Sequence, residues 1–211
     1  MEKTTSTLAI YQMIFRAGTL SVILLFLAGC QKGKDPLDTR INEMDPLQAA
    51  TVAHSIESTV TPVLAEGLTL RLWGVDSLVA DPISIDIDDA GRLYYTRTNR
   101  QKNSEFDIRG HQEWEIESIR LQTVEDKRAF LHKILSPENS KKNTWLADLN
   151  GDGSHDWKDM TIEKEQIYRL EDVSGDGVAD RSQLVVEDFH DEVTDVAGGV
   201  LTEGKDLFVA V

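Results

Sequence analysis

Cysteine is almost missing from this chain: Cys30 is the only one in 211 residues. That excludes an internal disulfide framework, a cysteine zinc site, an iron–sulfur cluster and the Cys-x-x-Cys-His attachment site of a c-type haem. Basic residues are also scarce, 22 against 37 acidic, for a net charge of −15. Such a field repels phosphates, which argues against nucleic acid as a partner, and it attracts divalent cations. No long hydrophobic run is present. The longest, Leu20–Ala28 with Ser21 interrupting it, falls well short of the ~20 residues of a membrane-spanning helix. A glycine-rich phosphate loop, a nucleophile elbow and a zinc spacing are absent too. With 40% apolar residues and four Trp, the chain still has the material for a packed core.

What is present is concentrated in two acidic loops. In Asp148–Asp159, Asp148, Asn150, Asp152, Asp156 and Asp159 fall at positions 1, 3, 5, 9 and 12, with Gly153 at 6 and the Ser154 carbonyl at 7. A hard cation such as Ca²⁺ takes six to eight oxygens, and this alternation delivers them from one turn of chain, as in an EF-hand loop. The departure is Asp where that loop has a bidentate Glu. The second loop repeats the pattern with Asp172, Ser174, Asp176, Gly177, the Val178 carbonyl and Asp180, but Gln183 stands at position 12. A neutral twelfth residue predicts a weaker site or one that borrows a ligand. Asp and Gly also make plain turns, because both tolerate left-handed backbone; a turn, however, needs no series of spaced oxygens.

Residues 1–29 have the layout of a secretory signal, with Lys3 and Arg16 ahead of the apolar run. The run ends in Leu27-Ala28-Gly29-Cys30, which resembles the bacterial lipobox. The resemblance implies acylation of Cys30 and a lipid bilayer as partner, each buried CH₂ contributing about 0.8 kcal/mol. A single thiol cannot pair internally, which fits that use. Gln31 follows the Cys in place of an Asp, favouring the outer membrane within a bacterial envelope. Residues 30–65 are polar, with Pro36, Pro46 and Pro62, and are expected to tether lipid to domain, with a short helix around 46–58.

From residue 66 the period changes to two. Leu68, Leu70 and Leu72 alternate with polar residues, as do Ile83, Ile85 and Ile87. The turn Asp88–Arg92 and the run Leu93–Thr96 complete a predicted hairpin. A helical insertion is expected at about 113–136: Thr123 and Asp126 match a capping box, and Val124, Arg128, Leu131 and Leu135 form a stripe flanked by Phe130 and Ile134. Its apolar face is expected to dock on the sheet. Strands are predicted to flank both acidic loops, and Val200–Val211 reads as a further hairpin ending on an apolar strand, which suggests a fragment of a longer protein.

The order of these pieces resembles bacterial membrane-bound dehydrogenases with a glucose/sorbosone-dehydrogenase-like β-propeller. The resemblance covers roughly residues 65–211. It rests on 67–96 with Leu78-Val-Ala-Asp-Pro82, on Asp107-Ile-Arg-Gly-His111, on 169–180 and on Asp195-Val-Ala-Gly-Gly-Val200. It implies a mainly β fold, a partial β-propeller of one to two blades, and an oxidoreductase acting on a sugar or sugar-derived alcohol. It also implies an electron-accepting cytochrome, and pyrroloquinoline quinone or haem c in the complete protein; nothing in these residues assigns either. His111, near Arg109, Glu113 and Trp114, is the candidate catalytic base for a sugar hydroxyl. His190 lies in an acidic turn; His132 and His155 read as structural or outward-facing. The rival functions are a non-catalytic, calcium-stabilised propeller and a dockerin-like module, each binding glycan or protein at the cell surface.

Overall fold

The computed structural model describes residues 40–211, apart from Lys102. The signal segment, Cys30 and Gln31 lie outside the described residues. The protein is mainly antiparallel β-sheet with few helices. Five strands form one sheet in the order β1-β5-β4-β3-β2: β1 (Ile41–Glu43), β2 (Ile85–Ile87), β3 (Leu93–Arg97), β4 (Glu165–Glu171) and β5 (Arg181–Asp188). Strands β2 to β5 are a meander in sequence order. Strand β1 is added to the outer edge of β5, with Ile41 opposite Gln183. A separate hairpin, β6 (Gly199–Glu203) and β7 (Asp206–Ala210), lies beside β2, whose Asp86 accepts from the Thr202 amide at 2.6 Å and the Thr202 hydroxyl at 2.7 Å.

The predicted hairpin forms at β2–β3. Asp88 Oδ1 accepts from the amides of Ala90 and Arg92 at 3.0 and 2.9 Å, and Gly91 supplies the positive φ of 77°. Leu68–Leu72, by contrast, is not a strand. Leu68 and Leu70 are 64% and 57% exposed, and the Leu72 amide donates to Glu57 Oε1 at 2.8 Å instead of to a neighbouring strand. Alternation alone does not create a strand without a partner, and the β5 edge is paired by residues 41–43 instead.

Those residues come from the stretch expected to be a tether, so the fold begins earlier than residue 66. Helix α1 (Pro46–Glu57) is capped by Asp45, which accepts from the Gln48 amide at 3.1 Å, with Pro46 at its first turn. Its Ala49 and Ala53 are buried, and small side chains on that face let the helix approach closely. Ala53 joins Val75, Leu78, Tyr95, Leu170 and Ala179 in the core over one sheet face.

The helical insertion contains α2 (Glu115–Ile119) and α3 (Val124–Ile134), the latter with the reciprocal Thr123/Asp126 capping box that the spacing predicts. Its apolar face does not dock on the sheet. Phe130, Leu131, Ile134 and Leu135 pack with Leu146 and Met160, against Phe106, Trp114, Trp145 and Trp157. The stripe specifies an apolar partner without naming it, and the large aromatics around the first acidic loop supply more contact area than the sheet. Among the described residues no helix is long and apolar enough to cross a membrane.

Candidate metal centre

The first acidic loop is built on this aromatic cluster rather than between strands. A two-turn 3₁₀ helix (Pro137–Lys142) precedes it, a single 3₁₀ turn (Asp159–Thr161) ends it, and the expected strand at 144–147 is absent. Leu146 and Met160 are buried at its two ends, and the Trp157 amide donates to the Leu135 carbonyl at 3.0 Å, so the loop closes onto the end of α3. His155 points back into this frame, its Nδ1 2.7 Å from the Leu146 carbonyl.

The side chains predicted to bind metal organise the loop's own backbone. Asp148 accepts from the amides of Asp152 and Gly153 at 3.1 and 2.9 Å, Asn150 from Asp152 at 2.8 Å, and Asp152 from Ser154 at 2.9 Å. Asp159 is fully buried; its Oδ1 takes the Leu149 and Asn150 amides at 2.8 and 3.2 Å, and its Oδ2 takes the Asp156 amide at 2.9 Å. Gly151 and Gly153 hold φ of 72° and 85°. The hydrogen bond from Ser154 keeps the Asp152 carboxyl below the usual carboxylate range.

Two oxygens are left over. Asp156 has no exposed surface, its Oδ1 accepts from the Lys158 amide at 2.9 Å, and its Oδ2 has no hydrogen-bond partner; Ser154 Oγ has none either. The Lys158 ammonium lies 3.5 Å from Asp152 Oδ2 and 3.7 Å from Asp156 Oδ2, a cation held between two carboxylates. Among the described residues no three His, Cys, Asp or Glu side chains converge as a metal-holding group. The donor set nevertheless fits a hard cation: it is all oxygen, and two buried oxygens, Asp156 Oδ2 and Ser154 Oγ, have no hydrogen-bond partner.

The second loop joins β4 to β5, as predicted, and closes differently. Asp172 takes the amides of Gly175, Asp176 and Gly177 at 2.7, 3.2 and 2.8 Å, and Asp176 takes that of Val178 at 3.0 Å. Asp180 takes the Val173 and Ser174 amides, both at 2.9 Å. These are the second and third residues of the loop, the same pair that Asp159 holds from position 12 in the first. Closure therefore occurs at position 9. Gln183 belongs to β5, where its Oε1 accepts from Arg169 at 2.7 Å, so the EF-hand register does not extend that far. Burial pushes the Asp180 carboxyl up, but the two amides outweigh it and the net shift is downward.

Of the histidines, His111 is mostly enclosed. It stacks on Trp114 with ring centroids 4.1 Å apart, leans on Trp145 at 4.7 Å, and has Nδ1 3.5 Å from Glu113 Oε1. It shares a cleft of about 300 Å³ with Asn103, Asp107, Arg109 and Trp145. Arg109 is engaged by Asp107 through two 2.7 Å contacts. His190 is a surface residue paired with Asp188 at 3.0 Å. Its neighbour Glu192 turns inward to Arg128 and to His132, which stacks on Trp157 at 4.0 Å.

Sequence reasoning missed Arg100, Glu165 and Lys158. Arg100 and Glu165 are buried charges drawn from unpatterned polar stretches, with no periodicity to mark them. No protein-family model, curated protein or solved structure matches this chain.

Proposed function

We propose that this chain is a calcium-clipped, mainly β module of the bacterial envelope, held to a membrane by a lipid on Cys30. The observation that carries the metal reading is Asp156, a fully buried carboxylate inside a loop of spaced oxygens, whose Oδ2 accepts no hydrogen bond and faces the Lys158 ammonium only at 3.7 Å. Asp148, Asn150, Asp152, Ser154, Asp156 and Asp159 would hold the ion in the first loop. Asp172, Ser174, Asp176, the Val178 carbonyl and Asp180 would hold it in the second. The ion supplies positive charge that offsets repulsion among these carboxylates. Calorimetric titration of the full chain with calcium is expected to give saturable heat and a rise in melting temperature. Gln183→Glu should leave the isotherm unchanged, because that side chain sits in β5. Absence of both heat and melting shift would remove the metal reading.

The lipid reading rests on Leu27-Ala28-Gly29-Cys30. Cys30→Ser is expected to move the protein from the membrane to the soluble fraction, and a variant that still sediments with membranes refutes the anchor.

The four-stranded meander β2–β5, followed by a new hairpin, supports assigning these residues to the start of a β-propeller, whose blades are four-stranded. Dehydrogenase activity is the second reading, with His111 as the candidate base in the cleft beside Trp145. These residues contain no Cys-x-x-Cys-His motif for c-type haem attachment.

A further inference from the structure

One cleft contains a guanidinium with no counter-ion among the described residues. Tyr95 and Tyr168 stack with ring centroids 5.2 Å apart, and with Leu78 and Leu184 they line a space of about 490 Å³ on the sheet face that carries the core. This is the size of a small-ligand site. Arg97, at the end of β3, lines the same space and is half-buried. Among the described residues its guanidinium makes no hydrogen bond and has no carboxylate within ion-pair reach. In this acidic chain that is unusual. Arg92, Arg109, Arg128, Arg169 and Arg181 each hold a carboxylate, and Arg71 and Arg120 are exposed to water.

A guanidinium withdrawn from water without a partner costs free energy, and its planar fork matches a carboxylate through two parallel hydrogen bonds. The other charged groups lining the cleft are Arg40, Asp76 and Glu187, all exposed, and Glu187 already accepts from Gln166 at 3.0 Å. Asp76 and Glu187 disfavour a ligand bearing a second negative charge. We propose that this cleft binds a small organic monocarboxylate. Its carboxylate is held by Arg97, and its apolar ring or chain lies on Tyr168, Leu78 and Leu184. This inference stands apart from the calcium loops and from the His111 cleft.

Benzoate titrated into the full chain and followed by calorimetry is expected to saturate. Benzyl alcohol, the same ring without the charge, and phthalate, with a second carboxylate, should both bind more weakly. Arg97→Gln is expected to weaken benzoate roughly tenfold or more, the effect of losing a charge-assisted pair. Arg97→Lys should fall between, and Arg120→Gln should match wild type. Circular dichroism verifies the fold of each variant, and the wild-type comparison of benzoate with benzyl alcohol requires no variant at all. Non-saturating heat for benzoate, equal binding of benzoate and benzyl alcohol, or unchanged affinity in folded Arg97→Gln would each overturn the proposal.

Discussion

Arg100→Met is expected to lower stability by about 3–5 kcal/mol, the range for breaking a buried, hydrogen-bonded charge. That is a large share of the ~5–15 kcal/mol that holds a domain of this kind together. Arg100 is 1% exposed and satisfies carbonyls from two distant segments. Its Nη1 donates to the Thr194 carbonyl at 2.7 Å and to the Thr194 hydroxyl at 3.0 Å; its Nη2 donates to the carbonyls of Met160 and Asp191. Methionine keeps the stem volume but strands these acceptors without a donor, and each buried unsatisfied group costs about 1–3 kcal/mol. It also removes the positive charge that offsets Glu165, which is fully buried and accepts from the Thr98 hydroxyl and the Ala197 amide, both at 2.7 Å. Burial lowers the affinity of the guanidinium for its proton, and the charges of Glu165, Asp195, Glu163 and Asp191 oppose that. Arg100→Lys is not expected to rescue the fold, because one ammonium cannot reach acceptors spread around a planar fork. Urea denaturation is the measurement. A midpoint unchanged in Arg100→Met would show that the carbonyls find water and that the pin is dispensable.

The sequence makes local chemistry legible and long-range choices obscure. The turn at Asp88–Arg92 and both acidic loops are visible because an Asp carboxylate reaches amides two to five residues ahead, and glycine marks the left-handed positions. The capping box of α3 is visible for the same reason. Strand β1 is not. Its register is settled by pairing with β5, where Arg181 meets Glu43 from 138 residues away, and nothing around Ile41 announces that edge. Leu68–Leu72 fails in the opposite sense, with a good local pattern that pairs with no strand. The stripe of α3 shows that a face is buried but not that tryptophans beside a loop will cover it. In the second loop, spacing alone extended the EF-hand register to Gln183, whereas the chain had already closed at Asp180 and turned into a strand. Arg100 has no signal of any kind, since its acceptors are backbone carbonyls and any sequence carries those.

The two loops clip different parts of the protein, and that difference yields the second large effect. Asp159→Ala removes an acceptor from the amides of Leu149, Asn150 and Asp156 in a fully buried site. Hydrogen bonds to a charged acceptor contribute about 1.5–3 kcal/mol each, so the metal-free protein should lose several kcal/mol in the region around α3. Calcium should not restore it. On the proposed calcium reading, a wild-type site filled at about a hundredfold over its dissociation constant gains about 2.7 kcal/mol, a term Asp159→Ala forfeits with the carboxylate at position 12. Trp145 and Trp157 pack around the same cluster, so their fluorescence reports its release directly. Asp180→Ala should act elsewhere. The Asp180 carbonyl receives the Met44 amide at 2.8 Å, and the neighbouring Ala179 amide donates to Trp73 at 2.7 Å, so opening that loop loosens the β1 end of the sheet. Tryptophan fluorescence of the α3 cluster should then stay near wild type while β-sheet circular dichroism falls. Two clips on separate parts of the fold predict two calcium transitions, each removed by one variant and kept by the other. A single transition lost equally in both would mean that the loops form one cooperative unit.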